Sequence, residues 1–571
     1  MLREYLSAAE NGETLWIGEL REAFSKAPQC TKVVLRLTGC EGTVRDNTLW
    51  VPNWENDSER AFVLEYVSAC VFNLLSCFGG RELRFCLPEN ASELAALLEE
   101  LNGVFGIKDT IQGGYGKVIS ISNRLNRAFG AGAFQFVIDR SASCLPNEYR
   151  SEGSFGDFGQ KLRALTKQAT DKLCCGIDVG GTDIKAAVSL DGRLLFTKEY
   201  DWDPASCSIA EEIKEPILLI ARLLRLGAVC PREEALVSAM SRGAGLPQIR
   251  EAVGALEEKY CGSLRPFDSV GLSFPDVVIH NRILGGETPK TGGLRRNPLL
   301  DYEEEFAKLD RLRDDLAFLG TPECRVRIAN DGGVAAFTAA VEMAEKGESI
   351  PDGVFAHSLG TDLGTGWLDE TGKLPPLPLE MYDFLIDLGS RPQRAYPPED
   401  VRSVRNENSG LPDARKYLGQ SAAFRLAEEE APDLLREYLT EEDGILKVCG
   451  FPADMRKACL EHLMQRAEEG DVRARSVFRQ IGRDLGQISR EICDLLHPAT
   501  NKRYLYGRFV KRPGCFSLLR EGFHEVMPQL ELIAADEELA FSPLMRQLAA
   551  SRETTVAQFG QAIGAIYFGL S

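Results

Sequence analysis

Three short segments of this chain hold residue types suited to phosphate and proton chemistry. The first is Asp178-Val179-Gly180-Gly181-Thr182-Asp183. A phosphate needs backbone N–H groups aimed at it and no side chain in the way, and adjacent glycines in a tight turn supply both. Thr182 adds a hydroxyl donor, and Asp178 ends an apolar run where a carboxylate can hold Mg²⁺ through waters. A plain Gly-Gly hairpin with a solvated Asp reads the same way. The second segment is His357-Ser358-Leu359-Gly360-Thr361-Asp362-Leu363-Gly364-Thr365-Gly366. Gly360, Thr361 and Gly364 again make an anion cradle, and a flexible hairpin is the alternative. It is not a Walker A loop, because the G-x-x-x-x-G-K-[ST] lysine is missing. The third is Asn330-Asp331-Gly332. Asp331 could take a proton from a substrate hydroxyl and Asn330 could orient that hydroxyl. An ordinary helix N-cap uses the same residues.

The elements that must position these segments can be read around them. LCCGIDV is an apolar strand entering the first turn, DIKAAVSL a second strand and RLLFTKEYD a third, joined at Asp191-Gly192. SVGLSFP and RVRIAN are further strands, and a helix starts at Asn330-Asp331. GVFAHSLGTDLGTGWL then restarts the strand–turn–strand grammar about 180 residues after the first hairpin. The rest is mostly helical, with KRYLYGRF as one more strand. Repetition at this long period predicts two related α/β lobes facing each other, residues 171–350 and 351–571. Residues 1–170 read as a separate α+β domain. It has strands at 32–37 and 47–52, a helix at about 59–78, and GKVISI and FQFVIDR as two more strands. SEGSFGDFGQ (151–160) reads as part of a linker.

Composition narrows the partners. The chain has 571 residues, 44% hydrophobic and 26% charged, which is ordinary globular usage. Lys plus Arg number 66 against 85 Asp plus Glu, for a net charge of −19. Phosphate-backbone binding needs clustered positive charge, so no nucleic-acid partner is expected. No run of 18 to 20 consecutive apolar residues appears and the amino terminus lacks an apolar signal core, so a cytoplasmic chain without a membrane span is expected. The 16 cysteines are scattered without a C-x-x-C and read as reduced, buried thiols. The five histidines lack ligand spacing, and His497 reads as a helix-end cap.

The three segments, in this order, resemble the ROK sugar kinases of the hexokinase–actin–Hsp70 superfamily. GIDVGGTDIKAAV looks like the family's first phosphate motif, SLGTDLGTGWL like its second, and IANDGGVAAFTAAVE like its Asn-Asp segment. VGLSFPDVVIHNRI is similar to the strand and Pro loop before the sugar site, and VAQFGQAIGAIYFGL fits the closing Gly-Ala helix. The resemblance covers about 173–571. It implies a two-lobed actin/hexokinase-like (ribonuclease H-like) fold and ATP- and Mg²⁺-dependent phosphorylation of a sugar hydroxyl. Asp331 would be the general base, with Asn330 a sugar ligand. Gly180, Gly181, Thr182, Gly360, Thr361 and Gly364 would face ATP phosphates, and Asp178 would organise Mg²⁺. Glu380 stands where the family has a sugar-binding Glu. Ser273, Lys290 and Thr291 match the loop closing on the sugar, and Gly507 the adenosine-side glycine. The family's Cys cluster and sugar-site His are missing between 380 and 448, so no zinc is expected. Asp362 replaces a usual Gly, where a carboxylate would repel phosphates unless it holds a cation. These departures leave a second reading, a sugar or nucleotide sensor without turnover. A homo-oligomer is compatible with either.

Overall fold

Nine strands with largely apolar sequence split between two sheets with a shared topology. The computed structural model describes residues 1–106, 114–140, 158–285, 289–361, 363–448, 454–535 and 539–571. The N-terminal sheet is built from β1 (Cys30–Thr38), β2 (Val44–Pro52), β3 (Glu82–Cys86) and β4 (Gln135–Asp139). Lobe 1 contains β5 (Leu173–Val179), β6 (Asp183–Leu190), β7 (Arg193–Asp201), β8 (Phe267–Phe274), the short pair β9 (Val278–Ile279) and β10 (Arg282–Ile283), and β11 (Gly320–Asn330). Lobe 2 contains β12 (Val354–Leu359), β13 (Leu363–Leu368), the hairpin β14 (Leu439–Glu442) and β15 (Ile445–Val448), β16 (Lys502–Gly507) and β17 (Glu531–Ala534).

The lobe 1 sheet runs β11-β8-β5-β6-β7 and the lobe 2 sheet β13-β12-β16-β17. In each, a hairpin supplies two antiparallel strands and later strands add in parallel to the first hairpin strand. This is the two-lobed ribonuclease H-like arrangement. Lobe 2 has no counterpart of β7 among the described residues.

Strand β5 reads as a nearly continuous apolar run because both its faces are covered. Cys175, Ile177 and Val179 pack with Ile213 and Ile217 of the Ala210–Gly227 helix. On the other face, Gly176 and Gly271 let the Val556–Leu570 helix lie directly on the sheet. A Cβ on either would sit 2.0 Å from the Ala562 carbonyl oxygen or 1.7 Å from that of Ala565. The chain's last helix therefore packs on lobe 1, although its sequence position is in the second half. It also crosses the Asp331–Lys346 helix, where a Cβ on Gly564 would meet Thr338 Oγ1 at 1.7 Å. The Phe158–Lys167 helix joins the same layer through Arg163 Nη1, which donates to the Ala344 carbonyl at 3.0 Å. Residues 158–167 thus pack with the two-lobed body, just before the 171 boundary expected from the sequence.

The N-terminal sheet is separate, but its core is not. Phe24, Tyr66 and Phe72 share one buried cluster with Phe384, Tyr417 and Phe478 of lobe 2. Polar contacts cross the same boundary: Asn73 exchanges hydrogen bonds with the Leu385 backbone at 2.7 and 2.9 Å, and Arg21 Nη2 donates to Glu491 Oε1 at 2.7 Å. The Asp57–Phe78 helix, capped by Asn56 Oδ1, is long and apolar enough to cross a membrane, yet most of it is buried inside this core. One strand expectation fails. GKVISI lies in a helix, Gly116–Ala128. Val118, Ile121 and Leu125 recur at helical spacing and are all buried, Val118 in the core shared with lobe 2 and the other two against lobe 1, which outweighs the strand preference of the β-branched residues.

Candidate functional site

Three chain segments meet at the carboxyl ends of β5, β8 and β11, where ligands of open α/β sheets bind. The first turn is closed by the Gly180 N–H, which donates to the Asp183 carbonyl at 2.8 Å, and is pinned by Trp202 Nε1, which donates to the Gly180 carbonyl at 3.1 Å. A Cβ on Gly180 would lie 2.9 Å from that Asp183 oxygen, so only glycine fits this turn. Gly181 and Thr182 stay half-buried at its tip. In the second hairpin Gly360 has open space around its α-carbon and Thr361 is exposed. Asp362 lies outside the described residues.

Asp331 is clamped against this second hairpin by a contact between glycines. A Cβ on Gly332 would sit 2.1 Å from the Thr365 carbonyl oxygen, and one on Gly366 would sit 1.6 Å from the Gly332 oxygen. The start of the Asp331–Lys346 helix therefore rests directly on β13. Asp331 Oδ1 comes within 3.4 Å of the position a Gly364 Cβ would take. The neighbours Asn330 and Asp331 share one donor. Asn330 Oδ1 accepts the Gly332 N–H at 2.9 Å and is the N-cap; Asp331 Oδ1 accepts the same N–H at 2.8 Å. Asp331 Oδ2 has no protein partner among the described residues. Asn330 Nδ2 donates to the Asp276 carbonyl at 3.0 Å, so one of its amide hydrogens remains for a ligand.

Asp178 faces the same point from β5. Ser273 Oγ donates to Asp178 Oδ1 at 2.6 Å, so Ser273 orients this carboxylate. Burial raises the Asp178 carboxyl to about 6, with Asp331 and Asp183 adding to the rise against the pull of Lys185 and Ser273. Such a carboxylate gains most from a cation, which fits it to Mg²⁺. Asp183, Glu199 and Asp201 also converge, but Lys185 lies 2.5 Å from Asp183, and Arg242 lies 3.4 and 3.2 Å from Glu199 and Asp201. Ion pairing accounts for that cluster. Although burial acts against it, Lys185 holds the Asp183 carboxyl below its usual range, helped by Lys457 and Arg508 of lobe 2. Positive charge from both lobes thus surrounds the first hairpin. Lys290 adds to it, since its Cε is 3.2 Å from where a Gly181 Cβ would be.

The remaining expected residues divide. Thr291 is buried, with its hydroxyl accepting from Arg295 Nη1 at 2.9 Å and lying 3.4 Å from the Tyr302 hydroxyl. It braces its own loop. Gly507, with φ of +108°, faces the Leu359 carbonyl, 2.1 Å from where its Cβ would be, and serves the close β12–β16 pairing. Glu380 is buried and accepts a hydrogen bond from the Tyr382 hydroxyl. Burial, with Asp383 and Asp276, keeps its carboxyl well above the ordinary range against the opposing pull of Lys117, so the protonated form is favoured. Sequence reasoning missed two residues here, Asp276 and Lys117. Asp276 follows the Phe-Pro pair just past the end of β8, and that strand-end position is the signal that could have found it. Lys117 gave none, because its segment read as a strand.

No family model matches the chain, and no curated protein matches its sequence. Solved structures do match. A ROK family glucokinase from Streptomyces griseus, in complex with glucose and AMPPNP, is 18% identical, covers 70% of this chain and 98% of its own, and has a TM-score of 0.41. A glucokinase from Balamuthia mandrillaris in complex with glucose is 13% identical over 69% and 99%, with a TM-score of 0.39. A ROK hexokinase from Thermus thermophilus is 15% identical over 70% and 97%, with a TM-score of 0.36. At these identities and scores the likenesses fix neither family nor reaction, and the functional reading stands on the site's own geometry.

Proposed function

We propose that the chain transfers a phosphoryl group from ATP to a hydroxyl of a sugar or sugar derivative. The observation that carries this reading is the placement of Asp331. A carboxylate with one oxygen free of protein partners among the described residues sits beside Gly364 of one glycine hairpin and opposite Asp178, next to the other. A hydroxyl is a poor nucleophile until its proton has somewhere to go, and Asp331 Oδ2 can accept it. Asn330 fixes the helix start and offers one amide hydrogen to the acceptor. The backbone of Gly180, Gly181, Thr182 and Gly360, with Lys290, suits the donor phosphates. Asp178 and Ser273 form the set that would hold Mg²⁺, which when bound neutralises charge on the transferring group.

The test is purified full-length protein with Mg-ATP and a broad panel of hexoses and N-acetylhexosamines, read by ADP release and by sugar phosphate formed. Transfer to at least one acceptor is expected. Tight sugar binding with no transfer would select the sensor reading, and neither binding nor transfer would remove the sugar from the account.

A further inference from the structure

The N-terminal region reaches this site through one helix, Gly116–Ala128. Its first turn meets lobe 2. Lys117 is only 3% exposed, and its Nζ lies 2.6 Å from Asp383 Oδ2 and 5.1 Å from the centre of the Tyr382 ring. Tyr382 in turn bonds Glu380. Arg415 lies 3.1 Å from the other Asp383 oxygen and also pairs with Asp413. The middle of the helix meets lobe 1, where Ile121 and Leu125 pack with Val277, Ile279 and Leu284, just after Asp276. Its last turns are tied there by charge. Arg124 donates to Glu303 at 2.9 and 2.6 Å, Arg127 does so at 2.6 Å, and the Ala128 carbonyl accepts from Arg282 at 3.2 Å. Arg124 also fills the space beside Gly285, 2.8 Å from where a Cβ would be. One helix therefore touches both lobes on the side where Asn330, Asp276 and Glu380 converge.

We propose that this helix is a wall of the acceptor site, and that Lys117 is the positioning residue that holds the Glu380–Asp383 loop in place against Asn330 and Asp331. A buried ammonium stays where its counter-charge is, and the reverse holds equally. Asp276, Glu380, Asp383 and Asp413 are all buried near one another, and Lys117 and Arg415 lie against them. Removing Lys117 leaves Asp383 only Arg415, which it shares with Asp413, so the loop carrying Glu380 must move. The N-terminal region is then part of the acceptor machinery in cis. This inference rests on the kinase reading for which side of the cleft takes the acceptor.

The experiment compares the full-length parent with Lys117→Met, Lys117→Arg and the double variant Lys117→Met/Asp383→Asn. The probe is whichever neutral hexose or N-acetylhexosamine the parent uses or binds best. Lys117→Met should raise the acceptor KM, or its calorimetric Kd, by about tenfold or more, with the ATP KM within about twofold of the parent. Lys117→Arg should recover most of the loss. The double variant leaves no unpaired buried charge and decides the matter if Lys117→Met fails to fold; it should show the same acceptor-selective defect. A folded variant with unchanged acceptor affinity, or with equal losses for acceptor and ATP, overturns the inference while leaving the kinase reading intact. A parent that neither binds nor phosphorylates any sugar overturns both.

Discussion

Asp331→Asn separates a catalytic carboxylate from a capping one. The N-cap bond belongs to Asn330, whose Oδ1 accepts the Gly332 N–H at 2.9 Å, and the substitution does not touch it. An Asn at 331 can keep the second bond, since its own Oδ1 can still accept the Gly332 N–H now at 2.8 Å. What is lost structurally is a negative charge in the first helical turn, worth about 0.3–1 kcal/mol. Against this, the repulsion that Asp331 exerts on Asp178 disappears. The two terms oppose each other, so stability should change by less than about 1 kcal/mol and Tm by no more than about 3 °C. The chemical loss has no such offset. General-base assistance is worth about 10²–10⁴-fold, or roughly 3–5 kcal/mol of barrier. Steady-state kinetics with the parent's acceptor should show kcat reduced by that factor with both KM values nearly unchanged. Full activity would refute the role of Asp331. A large fall in Tm alongside the lost activity would refute the division of labour between Asn330 and Asp331.

Three further substitutions test the surrounding geometry. The Asp178 carboxyl is raised from its ordinary 3.8 to about 6, so the fold disfavours its charged form, and stability present below pH 3.8 is lost as pH rises through 6. Asp178→Asn should therefore be more stable than the parent at pH 7.5, by about 1–2 kcal/mol after allowing for its partial exposure, and equal to it near pH 4. Urea unfolding at the two pH values checks the sign, and Mg²⁺-dependent turnover should fall. Gly332→Ala places a methyl 2.1 Å from the Thr365 carbonyl and should cost about 1–3 kcal/mol while displacing Asp331, so a Tm equal to the parent's would contradict the clamp. Gly181→Val meets only the flexible Lys290 side chain at 3.2 Å; it should fold normally but lose ATP affinity by calorimetry, and unchanged affinity would remove this turn from the donor site.

Much of the lobe architecture was legible in the chain. Local signals are self-sufficient where a strand is apolar on both faces, as in LCCGIDV, or where glycines must close a turn, as at Gly180. Asn330-Asp331 could be placed at a strand end and helix start from its neighbours alone. The division of roles between them could not, because capping and base chemistry use the same residue types. In the structure both accept the Gly332 N–H, and the Gly332–Gly366 contact sets the Asp331 carboxylate beside Gly364.

What the sequence by itself determined is the order of elements and the turn and cap positions of the three segments, since turn glycines, caps and apolar periodicity act over a few residues. Only the tertiary structure decided which segments meet. Ser273 bonds Asp178 and Thr291 bonds Arg295, partners no local pattern announces, because hydroxyls bond whatever packing brings near them. Lys117 and Glu380 are 263 positions apart in the numbering, and no local pattern links them. They come together because the N-terminal region and lobe 2 bury one continuous core, and a buried lysine must lie where carboxylates compensate it.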